Sequence, residues 1–181
     1  MTTFFNQFNF DPAETSVKTA NYTIPAGKYA RITPLYSTTA SHSAANNNNA
    51  TPPNVNIQLN SLVVYRFPVS GSLSNSSSVS RVITFPANGK CNVSVSANPL
   101  TPITLLINGA SITPVSALGG DAFSYKAIAS SVGMTASTGN ATLVASWVFH
   151  ENKTSFFAKE GDAITIAGTC AFLVEEYNKI L

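Results

Sequence analysis

Acid–base chemistry has little to draw on in this chain: two histidines, His42 and His150, and eight carboxylates. A serine-hydrolase triad would need one of those imidazoles beside an activated serine, yet no Gly-x-Ser-x-Gly elbow occurs. Glycoside hydrolysis asks for two carboxylates about 5 to 10 Å apart. The available set is Asp121 or Glu151 meeting Asp162 across a cleft, with Glu160 near Asp162 and Glu175 beside Glu176. Glu160-Gly161-Asp162 has turn composition ahead of Ala163-Ile164-Thr165-Ile166. Glu175-Glu176 falls in a terminal strand pattern, where at least one of the two faces solvent. Structural duty is the stronger reading of both pairs, so we expect no enzyme, and a carbohydrate-active enzyme is only a remote alternative. No EF-hand, phosphate-cradling glycine loop or Cys/His metal cluster occurs, so no cofactor and no metal are expected. Cys91 and Cys170 lie far apart in sequence and read as buried free thiols rather than a disulfide.

Two groups of residues are suited to binding instead. Phe4, Phe5, Phe8 and Phe10 precede Asp11-Pro12 with neither helical nor strand periodicity. Such aromatic density is high for a free tail, so residues 1–16 are expected to form an arm that packs on its own domain or on a neighbouring chain, with the four rings as docking residues. The second group is the polar stretch from Ser37 to Asn54, where His42 and Asn46, Asn47, Asn48 and Asn49 offer side chains to the hydroxyls of a host surface glycan. Loops on a rigid scaffold are a common place for recognition, and the Ser70 to Ser80 segment joins this candidate receptor-binding set. Tyr36, Tyr65, Tyr125 and Tyr177 are candidates for a sugar platform, although strand tyrosines more often pack half-buried. Asn-x-Ser/Thr triplets at Asn21, Asn49, Asn75, Asn92, Asn140 and Asn152 are expected by chance in so Asn-, Ser- and Thr-rich a chain.

Composition narrows the setting in which such residues would work. Charged residues are 10% of the 181, against about a quarter in an average soluble domain. Solubility must rest on hydroxyls, amides and buried apolar surface, as in an extracellular or virion β-protein. The ten basic residues stand singly and the formal net charge is +2, which gives no nucleic-acid footprint. The opening Met1-Thr2-Thr3-Phe4-Phe5-Asn6-Gln7-Phe8 lacks the basic start and unbroken apolar run of a secretory signal. No window approaches the roughly 18 apolar residues of a membrane-spanning helix. A surface of extracellular type without an export signal points to a virion protein made in the host cytoplasm, with no membrane and no nucleic acid among its partners.

The elements that must position these residues read as strands. Alternating or apolar runs fall at Val17 to Ile24, Lys28 to Tyr36, Val55 to Leu59, Leu62 to Pro68, Val79 to Phe85, Cys91 to Ala97 and Ile103 to Ile107. Four more follow at Ala122 to Ser130, Ala141 to His150, Ala163 to Ala167 and Cys170 to Tyr177. Turn formers separate them: Pro25-Ala26-Gly27, Ser70-Gly71, Asn88-Gly89, Asn98-Pro99 and Asn108-Gly109, of which the two Asn-Gly pairs are the strongest hairpin signals. Ala141 to His150 carries apolar residues on both faces and is expected to be a central strand. No helix is expected beyond one short turn at Ser116 to Leu118 and Gly119-Gly120. The chain reads as all-β, a jelly-roll-like β-sandwich of about eight to ten antiparallel strands, with one domain over 17–181 after the arm.

Two segments carry a family likeness. Tyr22-Thr23-Ile24-Pro25-Ala26-Gly27-Lys28-Tyr29-Ala30 resembles the opening strand and turn of many tailed-phage virion proteins. Ser155 to Ile164, with its Glu160-Gly161-Asp162 step, followed by Cys170 to Tyr177, is similar to the last strand pair of trimeric jelly-roll heads in phage fibres and decoration proteins and in the C1q/tumour-necrosis-factor-like group. The resemblance implies a homotrimeric, non-catalytic bacteriophage structural protein, a capsid decoration (cement) or fibre-head module in contact with a major capsid or tail protein. The alternative is a tail-fibre module that binds a host glycan receptor.

Overall fold

The computed structural model describes residues 12–38, 41–43, 48–97, 102–116, 123–136, 140–149 and 152–179. Among them there is no helix, and fifteen strands run in chain order: β1 (Glu14–Lys18), β2 (Tyr22–Thr23), β3 (Lys28–Ser37), β4 (Ser41–Ser43), β5 (Asn56–Leu59), β6 (Leu62–Arg66), β7 (Val69–Asn75) and β8 (Arg81–Ala97). They continue as β9 (Pro102–Ile107), β10 (Ala110–Ser116), β11 (Phe123–Ala136), β12 (Ala141–Phe149), β13 (Phe156–Lys159), β14 (Ala163–Ala167) and β15 (Cys170–Asn178). Fourteen pair antiparallel; β4 alone runs parallel, beside β7. The all-β, sandwich-like class expected from the alternating runs is what forms.

The strands divide into two compact units. The first is drawn from the segments Met1–Thr38, Val55–Tyr65 and Lys153–Leu181, the second from Thr39–Asn54 and Arg66–Asn152. In the first, one four-stranded sheet has the order β1-β15-β3-β13 and another the order β2-β14-β5-β6. The alternation of β3 and β13 sends Ala30, Ile32, Phe156 and Ala158 inward, where they join Phe172 and Val174 of β15, while β5 and β14 add Ile57 and Ile164. The boundary drawn at residue 16 falls inside β1, whose Glu14 to Lys18 pair with Glu176 to Phe172. Phe4, Phe5, Phe8 and Phe10 lie outside the described residues.

The second unit is built on one seven-stranded sheet, ordered β10-β9-β11-β8-β12-β7-β4. β8 and β11 are long and paired along almost their whole length, with a register shift between Ala129 and Ser131. That bulge bends the ladder, and side chains from both halves of the bent strands share one core: Ile83 and Phe85 with Val93 and Val95, Val132 and Met134, Leu143 and Trp147. Trp147 is fully buried, its ring stacked near Phe85 at 5.9 Å, and its Nε1 donates to the Ala87 carbonyl at 3.1 Å.

Several local expectations need correction. The turn at Asn108-Gly109 forms as read, with φ of 50° and 77° at the two residues, joining β9 to β10. Asn88-Gly89 is no hairpin: both residues lie inside β8, which merges the runs expected at Val79 to Phe85 and Cys91 to Ala97. A Cβ on Gly89 would stand 2.4 Å from Trp147 Nε1, so this glycine serves close approach rather than reversal. Ser70-Gly71 likewise belongs to β7, where Ile83 and Pro52 crowd Gly71. The single strand expected from Val17 to Ile24 is two, β1 and β2, which enter different sheets. The count therefore rises to fifteen, because strand-forming backbone also occupies Ser41 to Ser43, Val69 to Asn75, Ala110 to Ser116 and Phe156 to Lys159. β12 is internal in its sheet as expected, but only one face is buried; Val144 and Val148 on the other are 45% and 43% exposed.

Candidate functional site

The carboxylates singled out as catalytic candidates hold structure. Asp162 is buried; its Oδ1 accepts from Asn60 Nδ2 at 2.9 Å and its Oδ2 from the Lys159 amide at 2.8 Å. The same Asn60, at φ 50°, accepts from the Ala163 amide, so Asp162 ties the turn before β14 to the end of β5. The Asn60 and Lys159 hydrogen bonds hold its carboxyl below the usual carboxylate range. Glu160 accepts from Lys179 Nζ at 2.6 Å and from the Gly27 amide at 3.1 Å. Asp121, His150 and Glu151 lie outside the described residues. Among the described residues no group of three or more His, Cys, Asp or Glu could hold a metal.

Asp162 makes a clear pH prediction. A carboxyl with a depressed folded pKa adds stability that is complete above its ordinary, unfolded pKa and is lost as pH falls through the folded value. Asp162→Ala is therefore expected to lower stability near neutrality by about 1–3 kcal/mol. The gap to the parent protein should close as pH drops below about 4. Urea midpoints measured across that range check it, and a gap that stays constant to pH 2 would contradict it.

Glu175 and Glu176 divide as alternation requires. Glu176 points inward and is 3% exposed; its carboxylate accepts a short hydrogen bond from the Tyr22 hydroxyl and lies 3.7 Å from Lys28 Nζ. Burial, together with the Glu176 hydrogen bond, pushes the Tyr22 hydroxyl up to about 12. Lys18 Nζ sits 4.5 Å above the same ring, a cation–π contact that covers Tyr22. Glu175 points outward and holds Arg31 in a two-pronged ion pair of 2.6 and 2.8 Å.

That outward face of the β1-β15-β3-β13 sheet brings together residues that no local motif joins. Register sets three cross-strand rows: Lys159, Tyr29 and Tyr177; Phe157, Arg31, Glu175 and Thr15; Thr33, Leu173 and Val17. Phe157 is 67% and Val17 55% exposed, and the Tyr29 and Tyr177 rings stack at 5.0 Å. Aromatic rings around a pre-organised arginine, on a regular sheet, match the composition of protein–protein contact centres, where Tyr, Phe and Arg are enriched. Of this set, sequence reading singled out Tyr177 for a sugar platform and Glu175 as a candidate carboxylate. A signal for Phe157 was present, since adjacent Phe156 and Phe157 on one strand must send one ring in and the other out.

The other sequence candidates are scattered. In the Ser37 to Asn54 stretch, His42 lies in β4 opposite Gly71, while Asn46 and Asn47 lie outside the described residues. Asn48 and Asn49 are exposed, and Asn49 Oδ1 accepts from the Val82 amide at 3.0 Å. Ala50 is buried and bridged to Ile83, so the later part of this stretch is bound into the second unit. Tyr36 and Tyr125 are 54% and 39% exposed, whereas Tyr65 is half-buried, with burial raising its hydroxyl pKa. Tyr125 faces the side of its sheet that carries Val93. Cys91 and Cys170 are free and buried, as expected, and burial pushes the Cys91 thiol up to about 11. Compared with known proteins, the chain matches no family model and no curated sequence.

Proposed function

We propose that this chain is a non-enzymatic structural module of a bacteriophage virion, a capsid decoration (cement) protein or fibre head. Its copies associate through the outward face of the β1-β15-β3-β13 sheet. The observation that carries this reading is that face: Phe157, Val17 and the stacked Tyr29–Tyr177 pair surround an Arg31–Glu175 bridge on one face of the sheet. Few charges and much hydroxyl-rich strand surface suit a subunit that covers part of its flank with identical neighbours. A homotrimer of jelly-roll type, attached to the particle by Phe4, Phe5, Phe8 and Phe10, completes the proposal and follows the resemblance noted above.

Solution mass decides it. The full chain at tens of micromolar is expected to run as an oligomer. Phe157→Glu, a change at an exposed side chain that leaves the core untouched, should shift it to monomer. Burying one phenylalanine contributes about 1.5–3 kcal/mol, so the substitution raises the dissociation constant by at least about tenfold. A parent protein that is monomeric at these concentrations, or a Phe157→Glu variant of unchanged mass, overturns the proposal.

A further inference from the structure

The solvent-facing side of the second unit's sheet has a chemistry of its own. Register aligns Val148, Lys90 and Ile128 in one cross-strand row and Ser146, Asn92 and Lys126 in the next. All six side chains are exposed, and an open depression of about 560 Å³ is lined by five of them, Ser146 being the exception. That volume lies within the range of about 300–1,000 Å³ typical of small-ligand sites. Beyond these rows the face carries Ser94, Ser96 and Ser124 on β8 and β11, with Thr142 and the exposed Val144 on β12. No carboxylate occurs on β7, β8, β11 or β12. Among the described residues neither Lys90 nor Lys126 has an ion-pair partner.

We infer that this face binds a carboxylate-bearing polysaccharide, with Lys90 and Lys126 taking its acid groups. The two ammonium groups stand on neighbouring strands at diagonal positions, and diagonal neighbours lie about 7–8 Å apart. Among the described residues no carboxylate forms an ion pair with either of them. Ile128 and Val148 flank Lys90 in its row and give aliphatic surface for the C–H face of a pyranose, and the Asn92 amide with the Ser146 hydroxyl can exchange hydrogen bonds with its hydroxyls. Strand geometry repeats such groups about every 4.8 Å across the sheet and every 6.8 Å along it, a spacing suited to a repeating polymer. Nucleic acid fits less well, because it rewards many phosphate contacts and aromatic stacking. This face offers two cations and, among its described side chains, no aromatic ring. The site is distinct from the association face of the first unit and from the Ser37 to Asn54 stretch.

The experiment is calorimetric titration of the full chain with oligogalacturonate, polysialic acid, neutral dextran, dextran sulfate and poly(dT). Saturable binding of at least one of the two carboxylate polymers is expected, with none to dextran. The Lys90→Gln/Lys126→Gln double variant should weaken it by at least about tenfold, since each lost charge-assisted contact is worth several-fold in affinity. Ile128→Ser should weaken it with the charges intact. An unchanged circular dichroism spectrum and oligomer mass confirm that the variants are folded. Absence of binding to both carboxylate polymers overturns the inference. So does equal binding of poly(dT) or dextran sulfate without sensitivity to Ile128, which would mark simple charge attraction. Loss of the parent oligomer in the lysine variant would instead assign the face to a second copy of the chain.

Discussion

Trp147→Ala is expected to lower the stability of the protein by about 3–5 kcal/mol, the range for removing a fully buried large aromatic side chain. The ring has no solvent contact. It stacks near Phe85 at 5.9 Å and Phe149 at 6.1 Å, and so joins the first half of β8 to the strand paired with its second half. Truncation opens a cavity where the bent ladder closes on itself and strips the Ala87 carbonyl of its indole partner. Trp147→Phe separates the two losses, because it keeps most of the apolar contact and gives up only the hydrogen bond. A cost of about 1–2 kcal/mol is expected for that variant. Urea unfolding followed at constant slope measures both. A Trp147→Ala cost below 1 kcal/mol would mean that the two halves do not depend on this ring.

Gly89→Ala should cost about 3 kcal/mol, at the upper end of overpacking effects, although the change adds one methyl group. The new Cβ would lie 2.4 Å from Trp147 Nε1, 2.5 Å from Trp147 Cε2 and 2.6 Å from the Val148 carbonyl. The last is backbone within a paired strand and cannot swing aside as a side-chain end can. The same reasoning predicts coupling. In a Trp147→Leu background the indole clash is gone while the Val148 contact stays, so the alanine should cost less there. A double-mutant cycle is expected to show an interaction of about 1–2 kcal/mol, within the usual span for residues in contact. Strict additivity would place the strain wholly at the Val148 carbonyl.

Gly89 also shows why part of this architecture was legible in the sequence and part was not. Asn88-Gly89 and Asn108-Gly109 are the same dipeptide between β-forming runs. One turns the chain with positive φ at both residues; the other continues β8, its glycine needed because an indole lies against the backbone. Local chemistry records only that a side chain is missing. Whether that absence serves a dihedral or a neighbour depends on Trp147, 58 residues further on, and so on a packing partner the local sequence cannot name. Splitting the Val17 to Ile24 run between two sheets has a similar origin. Asn21 Oδ1 accepts from the Ile166 amide of β14, and that partner exists only once β14 is in place.

Strand character, the absence of helix among the described residues, the central place of β12, the turn at Asn108-Gly109 and the burial of Cys91 and Cys170 were all determined by the sequence alone. Each follows from period-two alternation, β-branched content or the apolar nature of a thiol, properties a residue carries with it. Tertiary structure alone decided the surfaces. Alternation places Phe157, Tyr29, Tyr177 and Val17 on outward positions, but only the order β1-β15-β3-β13 puts them on one face. Likewise Lys90 and Lys126, 36 residues apart, become diagonal neighbours through the register of β8 with β11. Register depends on which long-range pairing buries the most apolar area without leaving backbone groups unpaired. That is a property of the whole chain, and no short window of it contains the answer.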